Sequence, residues 1–471
     1  MPATGRRRAV RVAVAAAVAA VPMVAVLTVG SAAPLAPPLG ACTGPDCPAA
    51  WPPPNNGDFT GRDASINVFT GGDYTVTGRA AEAEGKIVAL GNLTVDKNGG
   101  GVYNMGVVGV GSRVVPPNGS DFVITGGGVD VRTGNFILIG GSDSHGQAFG
   151  SLRHAGGVTG TVSIDPTGRS IQDPNAAAPY QDVRTRIEEV SDCVGRAAAT
   201  GSVDISSRQA TFTGDGVSAK QVFNVSRNLA SPSGGQIGLV FGNIPAGATV
   251  VVNMLGDSPI INTYTGTGLA GDRTTELRSK LMYNFPTATT PQILGSAQFQ
   301  GSVMAGNPGS TMTIAQAGMN GRVLLAGNLI HTGTGGYEIH GYPFDGGLPD
   351  CEVTPGPTPT PTSPSPSPTS PSPTSPTSPS PTSPAPTSPS ASASSPSASA
   401  SRSSAGPAPT GHHPSEHPTG HHPTGHHSGG GGELPPTGAG NAPVVFGLAG
   451  AGLLGLGGLA VLAARRRGRH G

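Results

Sequence analysis

The sequence is poor in aromatic residues, in charge and in cysteine. Its 471 residues include 12 Phe, 7 Tyr and a single Trp, and only 11% are charged. This scarcity argues against a large α/β enzyme core and against a coiled coil. Lys and Arg together number 27, as do Asp and Glu, so no net charge favours nucleic acid as a partner. The 75 glycines and 47 prolines exclude one uniformly packed domain.

The segment 1–33 has the organisation of an export signal. Four arginines between positions 6 and 11 precede the apolar run 12–29, and Ser31, Ala32 and Ala33 supply small residues for a signal peptidase. We predict a signal peptide over 1–33, a proline-rich linker over 34–57 and a secreted protein. An uncleaved membrane anchor is the alternative, because the apolar run is long.

The C-terminal segment carries three features in order. The pentapeptide Leu434-Pro435-Pro436-Thr437-Gly438 precedes an uncharged span over 444–464, which a basic tail over 465–471 follows. As a helix, this span would reach about 31 Å, enough to cross a bilayer. The basic tail would stay on the cytoplasmic side. We therefore predict a sorting segment over 433–471 with a transmembrane helix over 444–464.

This order resembles the cell-wall sorting signal of Gram-positive surface proteins, whose motif is Leu-Pro-any-Thr-Gly (LPXTG). The resemblance implies that a sortase recognises Leu434, Pro435, Pro436, Thr437 and Gly438. Its cysteine nucleophile would cut between Thr437 and Gly438, and Thr437 would pass to an amine of a peptidoglycan precursor. The protein would then be membrane-inserted only transiently and would end covalently anchored to the cell wall.

The stretch 350–432 is predicted to form an extended stalk rich in Pro, Ser and Thr. Repeats such as Ser-Pro-Thr-Ser-Pro offer no apolar residues to bury, so no core can offset the entropy cost of ordering the chain. Seven histidines near its end raise the hypothesis of a metal site: His412, His413, His417, His421, His422, His426 and His427. A polar, titratable spacer is favoured, since no fold preorganises these ligands, and no cofactor is predicted.

The central stretch 58–349 alternates short β-prone runs with Gly, Asn and Asp turns. Strands are predicted at 87–90, 122–124, 136–139, 238–241, 249–252 and 323–325. A long helix is predicted at 180–199, with Asp173 as its N-cap and Pro174 in its first turn, and a shorter helix at 272–284. The prediction is a mainly β domain with one inserted helix.

An internal repeat indicates the architecture. The segment from Gly85 to Leu93 matches the segment from Gly321 to Leu329 in residue type at nearly every position. Glycines also recur at similar intervals, as from Gly85 to Gly106 and from Gly106 to Gly128. This interval suits one turn of a parallel β-helix. We therefore predict a parallel β-helix or β-solenoid.

Two stretches resemble the choice-of-anchor A domain of bacterial surface proteins. The stretch 66–76 looks like its opening, and segments between 281 and 344 look like its closing half. The resemblance implies an adhesive module, in some members labelled collagen-binding, without catalytic residues. We predict a sortase-anchored adhesin whose extracellular ligand, a host or matrix protein or a glycan, is unidentified.

Four cysteines, Cys42, Cys47, Cys193 and Cys351, lie in a chain predicted to be secreted and allow three disulfide pairings. We prefer Cys42 with Cys47 and Cys193 with Cys351, while free cysteines and intermolecular bonds stay open. Their spacing, without matching histidines, does not predict a zinc site.

Candidate catalytic chemistry is sparse. The segment from Gly256 to Pro259 resembles the nucleophile motif of Gly-Asp-Ser hydrolases, with Ser258 as the nucleophile. No Asp-x-x-His motif follows it, so a turn is predicted instead. Ser142-Asp143-Ser144-His145 is interpreted as a polar loop, and His340, Tyr342 and Phe344 as an aromatic patch that caps the domain. No catalytic residue is predicted, and a glycan-acting hydrolase ranks last.

Four Thr-x-Thr segments support a different binding function. They lie at 75–77, 211–213, 263–265 and 311–313, and ranks of hydroxyl groups on strands are typical of ice-binding or carbohydrate-binding solenoids. Their separations in the chain are irregular, so the sequence does not predict one flat ladder.

Overall fold

The computed structural model describes residues 35–350. The predicted signal peptide, the sorting signal and almost all of the stalk lie outside that range. The described residues form parallel sheets that wrap into a nearly closed stack of strand turns, with one long helix beside them. The mainly β prediction is confirmed.

The first half of the described chain contains seventeen strands before the long helix. These strands are β1 (Gly61–Arg62), β2 (Ile66–Thr70), β3 (Tyr74–Val76), β4 (Glu82–Glu84), β5 (Lys86–Ala89), β6 (Leu93–Val95), β7 (Gly101–Gly106), β8 (Val114–Val115), β9 (Asp121–Thr125), β10 (Val129–Val131), β11 (Asn135–Ile139), β12 (Gly141–Asp143), β13 (Gly146–Ala148), β14 (Ser151–His154), β15 (Val158–Thr159), β16 (Thr161–Ile164) and β17 (Ser170–Gln172).

Helix α1 (Gln181–Gly195) separates these strands from the second half, which also contains the short helix α2 (Arg273–Leu277). Its strands are β18 (Ser202–Ile205), β19 (Gln209–Thr213), β20 (Lys220–Val225), β21 (Gly238–Gly242), β22 (Thr249–Met254), β23 (Ile260–Thr263), β24 (Leu281–Phe285), β25 (Gln292–Gln300), β26 (Ser302–Ala305), β27 (Thr311–Asn320), β28 (Val323–Leu325), β29 (Asn328–His331) and β30 (Glu338–His340). All six strands predicted from the sequence are present.

The strands do not stack in chain order. The ten-stranded sheet runs β17-β14-β9-β5-β2-β28-β26-β24-β22-β20, so β2 lies between β5 and β28. Phe69 of β2 pairs in register with Val88 on one side and with Leu324 on the other. The chain therefore starts in the middle of the stack, builds outward to β17, and resumes after α1 at the other end to close against β2.

Three faces result from this winding. The ten-stranded sheet is the covered face, because α1 packs on it. The second sheet bends at β25 and β27, whose first halves join β15, β10, β6, β3, β29 and β23 in the open face. Their second halves join β30, β4, β7, β11 and β16 in the third face.

The covered face is apolar on both sides. Val68 points into the interior of the stack, whereas its neighbour Phe69 belongs to a separate cluster beneath Val183, Ile187 and Val194 of α1. A strand buried on both faces reads as a continuous apolar run rather than an alternation. Every residue of β2 is likewise buried, and its two polar residues, Asn67 and Thr70, are hydrogen-bonded to the carbonyls of Glu84 and Gly72.

Glycine is required at the corners of the turns. Gly85, between β4 and β5, has φ +82°, and a Cβ there would lie 2.7 Å from the Cβ of Asn67. The repeat between Gly85 and Gly321 marks turns on either side of β2. Gly106 and Gly128 do not mark equivalent corners, because Gly106 ends β7 of the third face and Gly128 precedes β10 of the open face.

Two helix predictions need correction. Asp173 does not cap α1; its carboxylate accepts the Asn175 N–H in a local turn, and α1 begins at Gln181 after a 3₁₀ turn. Asp272 does cap α2, but the stretch 281–284 is strand. Pairing of β24 with both β22 and β26, with every residue buried, overrides the helical pattern there.

Part of the segment predicted as a linker packs against the stack. Leu35 and Leu39 are buried in the cluster under α1, and Trp51 contacts Tyr342. The side chain of Arg322, fully buried, donates to the Gly40 carbonyl and pairs with Asp63. These contacts attach the N-terminal segment to the last strands of the second half.

Candidate binding surface

One row of outward-pointing side chains crosses the open face. It contains one residue from each of eight neighbouring strands, which the parallel register places side by side: Ile260, Gln292, Thr313, Ile330, Thr75, Thr94, Asp130 and Thr159. At about 4.8 Å between strands the row extends over roughly 34 Å. We call it the central row.

Side chains alternate strictly between the interior and the solvent along the strands of the central row. Tyr74 and Val76 flank Thr75 and are buried in the interior, as Leu93 and Val95 flank Thr94. Successive side chains of a strand point to opposite faces, so burial of these neighbours directs both threonines to solvent. The interior packing therefore sets the orientation of the exposed side chains.

A ladder of side-chain hydrogen bonds borders the open face. Asn328 Oδ1 accepts the Asp73 N–H at 2.8 Å, Asp73 Oδ1 accepts the Asn92 N–H at 2.7 Å, and Asn92 Oδ1 accepts the Gly128 N–H at 2.9 Å. Each bond joins one turn of the chain to the next. This ladder keeps β29, β3, β6 and β10 in register at the edge of the central row.

The central row is almost free of charge. Its only ionisable member, Asp130, accepts a hydrogen bond from the Thr159 hydroxyl at 2.9 Å and pairs with Arg132 at 3.1 Å. The other members present hydroxyl, methyl, amide and aliphatic groups. Apart from Asp130, such a surface can contact an uncharged, regularly spaced partner without desolvating a charge.

The structure corrects the sequence-based view of the Thr-x-Thr segments. Thr75 and Thr313 do lie in one row, with Ile330 between them, because the interleaved winding brings distant segments together. Thr263 is buried and donates its hydroxyl to the Ile237 carbonyl. Thr211 lies apart from the row, in the small sheet of β18, β19 and β21.

Sequence reasoning missed Thr94 and Thr159 as members of the row. The internal repeat contained a signal for Thr94. The two repeated segments end at Leu93 and Leu329, and the next position of each, Thr94 and Ile330, lies in the central row. No comparable repeat precedes Thr159, which enters the row only through the pairing of β15 with β10.

A buried hydrogen-bonded group lies directly beneath the row. The hydroxyls of Tyr74 and Tyr103 are 2.5 Å apart, and the Tyr103 hydroxyl is 2.7 Å from Nδ1 of His331. Burial lowers the pKa of His331 to about 3 and raises the pKa of both tyrosines. All three side chains are therefore uncharged at neutral pH and serve as core.

The third face carries carboxylates at the outward positions, but these are buried. Glu82 and Glu338 are neighbours in register, and Nε2 of His340 lies 2.9 Å from Glu338 Oε2. Burial, together with the charge of Glu338, raises the pKa of Glu82 well above its ordinary value. Burial also raises the pKa of Glu84.

The segment 107–116, which we call the cover segment, lies over these carboxylates. Glu84 accepts the N–H groups of Ser112, Arg113 and Gly341, each at 2.9 Å, and Glu82 accepts the Gly109 N–H at 2.7 Å. The carboxylates thus hold the cover segment in place. Their backbone partners account for them as structural groups.

The residues considered for catalysis do not converge. The Ser258 hydroxyl pairs with that of Thr290 at 2.6 Å. Asp143 pairs with Arg113, and His145 with Asp58. These side chains are engaged in such pairings, and Ser258 lies on a different segment from the β12–β13 hairpin that contains Asp143 and His145.

His340, Tyr342 and Phe344 do not form one aromatic patch. All three are buried, but His340 contacts Glu338 and Asn320 on the third face. Phe344 packs in the cluster under α1, and the ring of Tyr342 lies against the Arg278 guanidinium. The three side chains therefore lie in different surroundings.

The structure contains a disulfide between Cys42 and Cys47. Cys193, in α1, is also disulfide-bonded, while Cys351, the partner preferred from the sequence, lies outside the described residues. The sorting motif 434–438 and the stalk histidines lie outside them too.

Neither a metal centre nor a membrane span is found in the part of the chain that the structure describes. Within residues 35–350, no three His, Cys, Asp or Glu side chains are placed to hold a metal ion. No helix in this range combines the length and the apolar character needed to cross a bilayer. The span predicted over 444–464 is not part of this range.

Comparison with known proteins assigns a family. Residues 61–341, more than half of the chain, match the family described as "Putative Ice-binding-like adhesive domain". No curated protein and no solved structure matches the chain. The family match supports an adhesin-like protein of the cell surface. The chain belongs to this ice-binding-like adhesive family.

Proposed function

We propose that this protein is a non-catalytic adhesin of the cell surface, and that the central row of the open face is its contact surface. The observation that carries the proposal is the alignment, by parallel register, of eight side chains of which only one is ionisable. Membership of an adhesive family supports it. The ligand would be an extracellular protein or glycan with an ordered, uncharged surface.

A binding screen on the intact protein tests this proposal. The ligands are collagen, fibronectin and a glycan panel, each immobilised and tested with the native chain and with Thr94→Lys. A lysine in the middle of the row would place a charge against an uncharged partner, and we expect at least a tenfold loss of affinity. Thr161→Lys, at an exposed site on β16 of the third face, is the control and should bind normally.

The same screen can refute the proposal. Because the row is nearly uncharged, binding should change little between low and high salt. Ligand binding that Thr94→Lys leaves intact would move the contact surface away from the row. A strongly salt-dependent affinity would also contradict an uncharged contact.

A second candidate is an ice-binding or carbohydrate-binding protein. It is favoured by the four threonines of the central row, which present a hydroxyl and a methyl group together at the spacing of the strands. Thermal hysteresis and faceted ice crystals in solutions of the intact protein, both lost in Thr94→Lys but not in Thr161→Lys, would establish ice as the ligand.

We further propose that a sortase anchors the protein to the cell wall through Thr437. Until that step, the span 444–464 would hold the protein in the membrane. The ordered motif, span and basic tail support this step. Thr437→Ala should move the protein from the wall fraction to the membrane or the medium. Unchanged covalent attachment to peptidoglycan would refute it.

We also propose that the domain turns over no substrate. A glycan and ester panel incubated with the intact protein should give no product above background. Turnover that Ser258→Ala abolishes would overturn this proposal and restore the hydrolase hypothesis.

A further inference from the structure

A cavity of about 220 Å³ lies where the segment 49–51 meets α2 and the segment 342–345. Its wall includes Trp51, the only tryptophan of the chain, and Tyr342. None of its lining residues belongs to the central row or to the carboxylate cluster of the third face. The cavity is therefore a site with different residues from those of the proposed adhesive surface.

A buried cation without an ion pair lines this cavity. Arg278 is 8% exposed, its guanidinium lies 3.5 Å from the centroid of the Tyr342 ring, and its Nη1 donates to Gln300 Oε1 at 3.3 Å. Within residues 35–350 no carboxylate comes within ion-pair distance of it, and burial lowers the pKa of Arg278. A buried cation held only by neutral groups favours an anion that can reach it.

An unpaired hydroxyl lines the same wall. Oγ1 of Thr275 is buried and has no hydrogen-bond partner among the described residues. Buried hydroxyl groups are nearly always paired, because leaving one unpaired costs free energy. The wall of the cavity therefore contains a cation without a counter-ion and a buried hydroxyl without a partner among the described residues.

The two carboxylates that line the cavity, Glu276 and Asp345, do not form an ion pair with Arg278. Glu276 pairs with Arg273 at 3.0 Å. Burial raises the pKa of Asp345, against the opposing effect of the charges of Lys280 and Arg322. Glu276 is thus neutralised by Arg273, burial disfavours the charged form of Asp345, and Arg278 is the cation of the wall that has no carboxylate partner among the described residues.

We propose that this cavity binds one carboxylated sugar residue, with the sugar carboxylate on Arg278, a ring hydroxyl on Thr275 and the apolar face of the ring against Trp51. A guanidinium fork matches the geometry of a carboxylate. An aromatic wall suits the C–H face of a pyranose, and the volume admits a single ring rather than a folded chain. The proposal is independent of the adhesive row.

Tryptophan fluorescence tests the proposal, because the only Trp of the chain lines the cavity. The intact protein is titrated with D-glucuronate, with D-glucose as the ring without a carboxylate and acetate as the carboxylate without a ring. We expect a saturable change with glucuronate and an affinity at least tenfold above that for either control. No saturable change, or equal binding of glucose, would overturn the proposal.

Thr275→Val separates binding from folding. Valine keeps the shape of threonine and removes only the unpaired hydroxyl, so the unfolding midpoint should not fall while glucuronate affinity drops about tenfold. Thr185→Val, at an exposed position of α1, should leave both unchanged. Full affinity in Thr275→Val would reject the proposed contact.

Arg278→Lys provides a second test. It keeps the charge and loses the fork, so the affinity for glucuronate should fall toward that for glucose. An Arg278→Lys protein that folds and binds glucuronate as the native chain does would show that the guanidinium only packs against Tyr342 and bonds Gln300.

Discussion

The open face and the third face belong to the same turns of chain, yet their outward positions have opposite surroundings. Thr75 and Thr94 of the open face reach solvent, whereas Glu82 and Glu84, between them in the chain, are fully buried. Both sets point away from the interior of the stack. Outward orientation is therefore a property of the strand, and exposure depends on what packs over it.

The difference arises from the length of one turn. From Ile87 to its partner Val123 the chain takes thirty-six residues, against twenty from Val303 to Val323. The extra residues include the cover segment, whose N–H groups bond to Glu82 and Glu84. Nothing comparable among the described residues lies over the open face, which leaves the central row available to a partner.

The largest effect is expected from Glu84→Ala. It leaves the N–H groups of Ser112, Arg113 and Gly341 without their acceptor in a buried site, and we expect a loss of about 4 kcal/mol in the free energy of unfolding. Chemical denaturation measures it. Glu189→Ala, on the exposed side of α1, should change stability by less than about 0.5 kcal/mol. Similar values for both variants would show that the carboxylate does not hold the cover segment.

A pair of glycine variants separates backbone strain from packing. Gly85 and Gly134 share φ +82°, but a Cβ at Gly85 would meet buried Asn67, while nothing lies within 4 Å of a Cβ at Gly134. Gly134→Ala should cost about 1 kcal/mol and Gly85→Ala about 3 kcal/mol. Equal losses would mean that the corner beside Glu84 is less tightly packed than described.

Glu82→Gln should change the pH dependence of stability. The pKa of Glu82 is raised in the folded protein, so its contribution is fully present below the unfolded pKa and is lost as pH rises through the folded pKa. The variant should therefore be less sensitive than the native chain to a rise in pH above about 4.3, the ordinary value for Glu. Unfolding curves across pH measure the difference between the two proteins, in which the contribution of His331 cancels. Parallel curves would contradict a raised pKa.

The smallest effect on stability is expected from Thr94→Lys. Its side chain points to solvent in the middle of the open face, so the free energy of unfolding should change by no more than about 0.5 kcal/mol. Thermal unfolding checks this value. A loss above about 2 kcal/mol, which is beyond the range of an exposed substitution, would show that the central row is packed against something rather than open.

Several strands and the corners at Gly85 and Gly321 could be predicted from local sequence, while the spatial order of the strands could not. Ile87 and Val323 lie in short apolar runs bounded by glycine, which is sufficient to predict β5 and β28. Nothing local indicates that both strands pair with β2. Likewise, the alternation around Thr75 and Thr313 predicts exposed threonines, but their common row depends on the pairing of β3, β29 and β27.

The cavity at Trp51 was less predictable still. Proline and the absence of apolar periodicity favoured a linker before position 58, yet this segment packs on Tyr342 and brings Trp51 beside Arg278. The contact joins residues far apart in the chain, so no spacing in the sequence could indicate it.

Local sequence was enough to establish the period of two along strands such as β3 and β6, the corners at Gly85 and Gly321 and the amphipathic face of α1. Their causes, side-chain direction and backbone sterics, act within a few residues. Which threonines share a row, and which carboxylates are buried, became clear only from the folded chain. The shared row depends on the register between strands far apart in the chain, and the burial of the carboxylates depends on the cover segment. Register and cover segment are both fixed by the packing of apolar side chains throughout the stack.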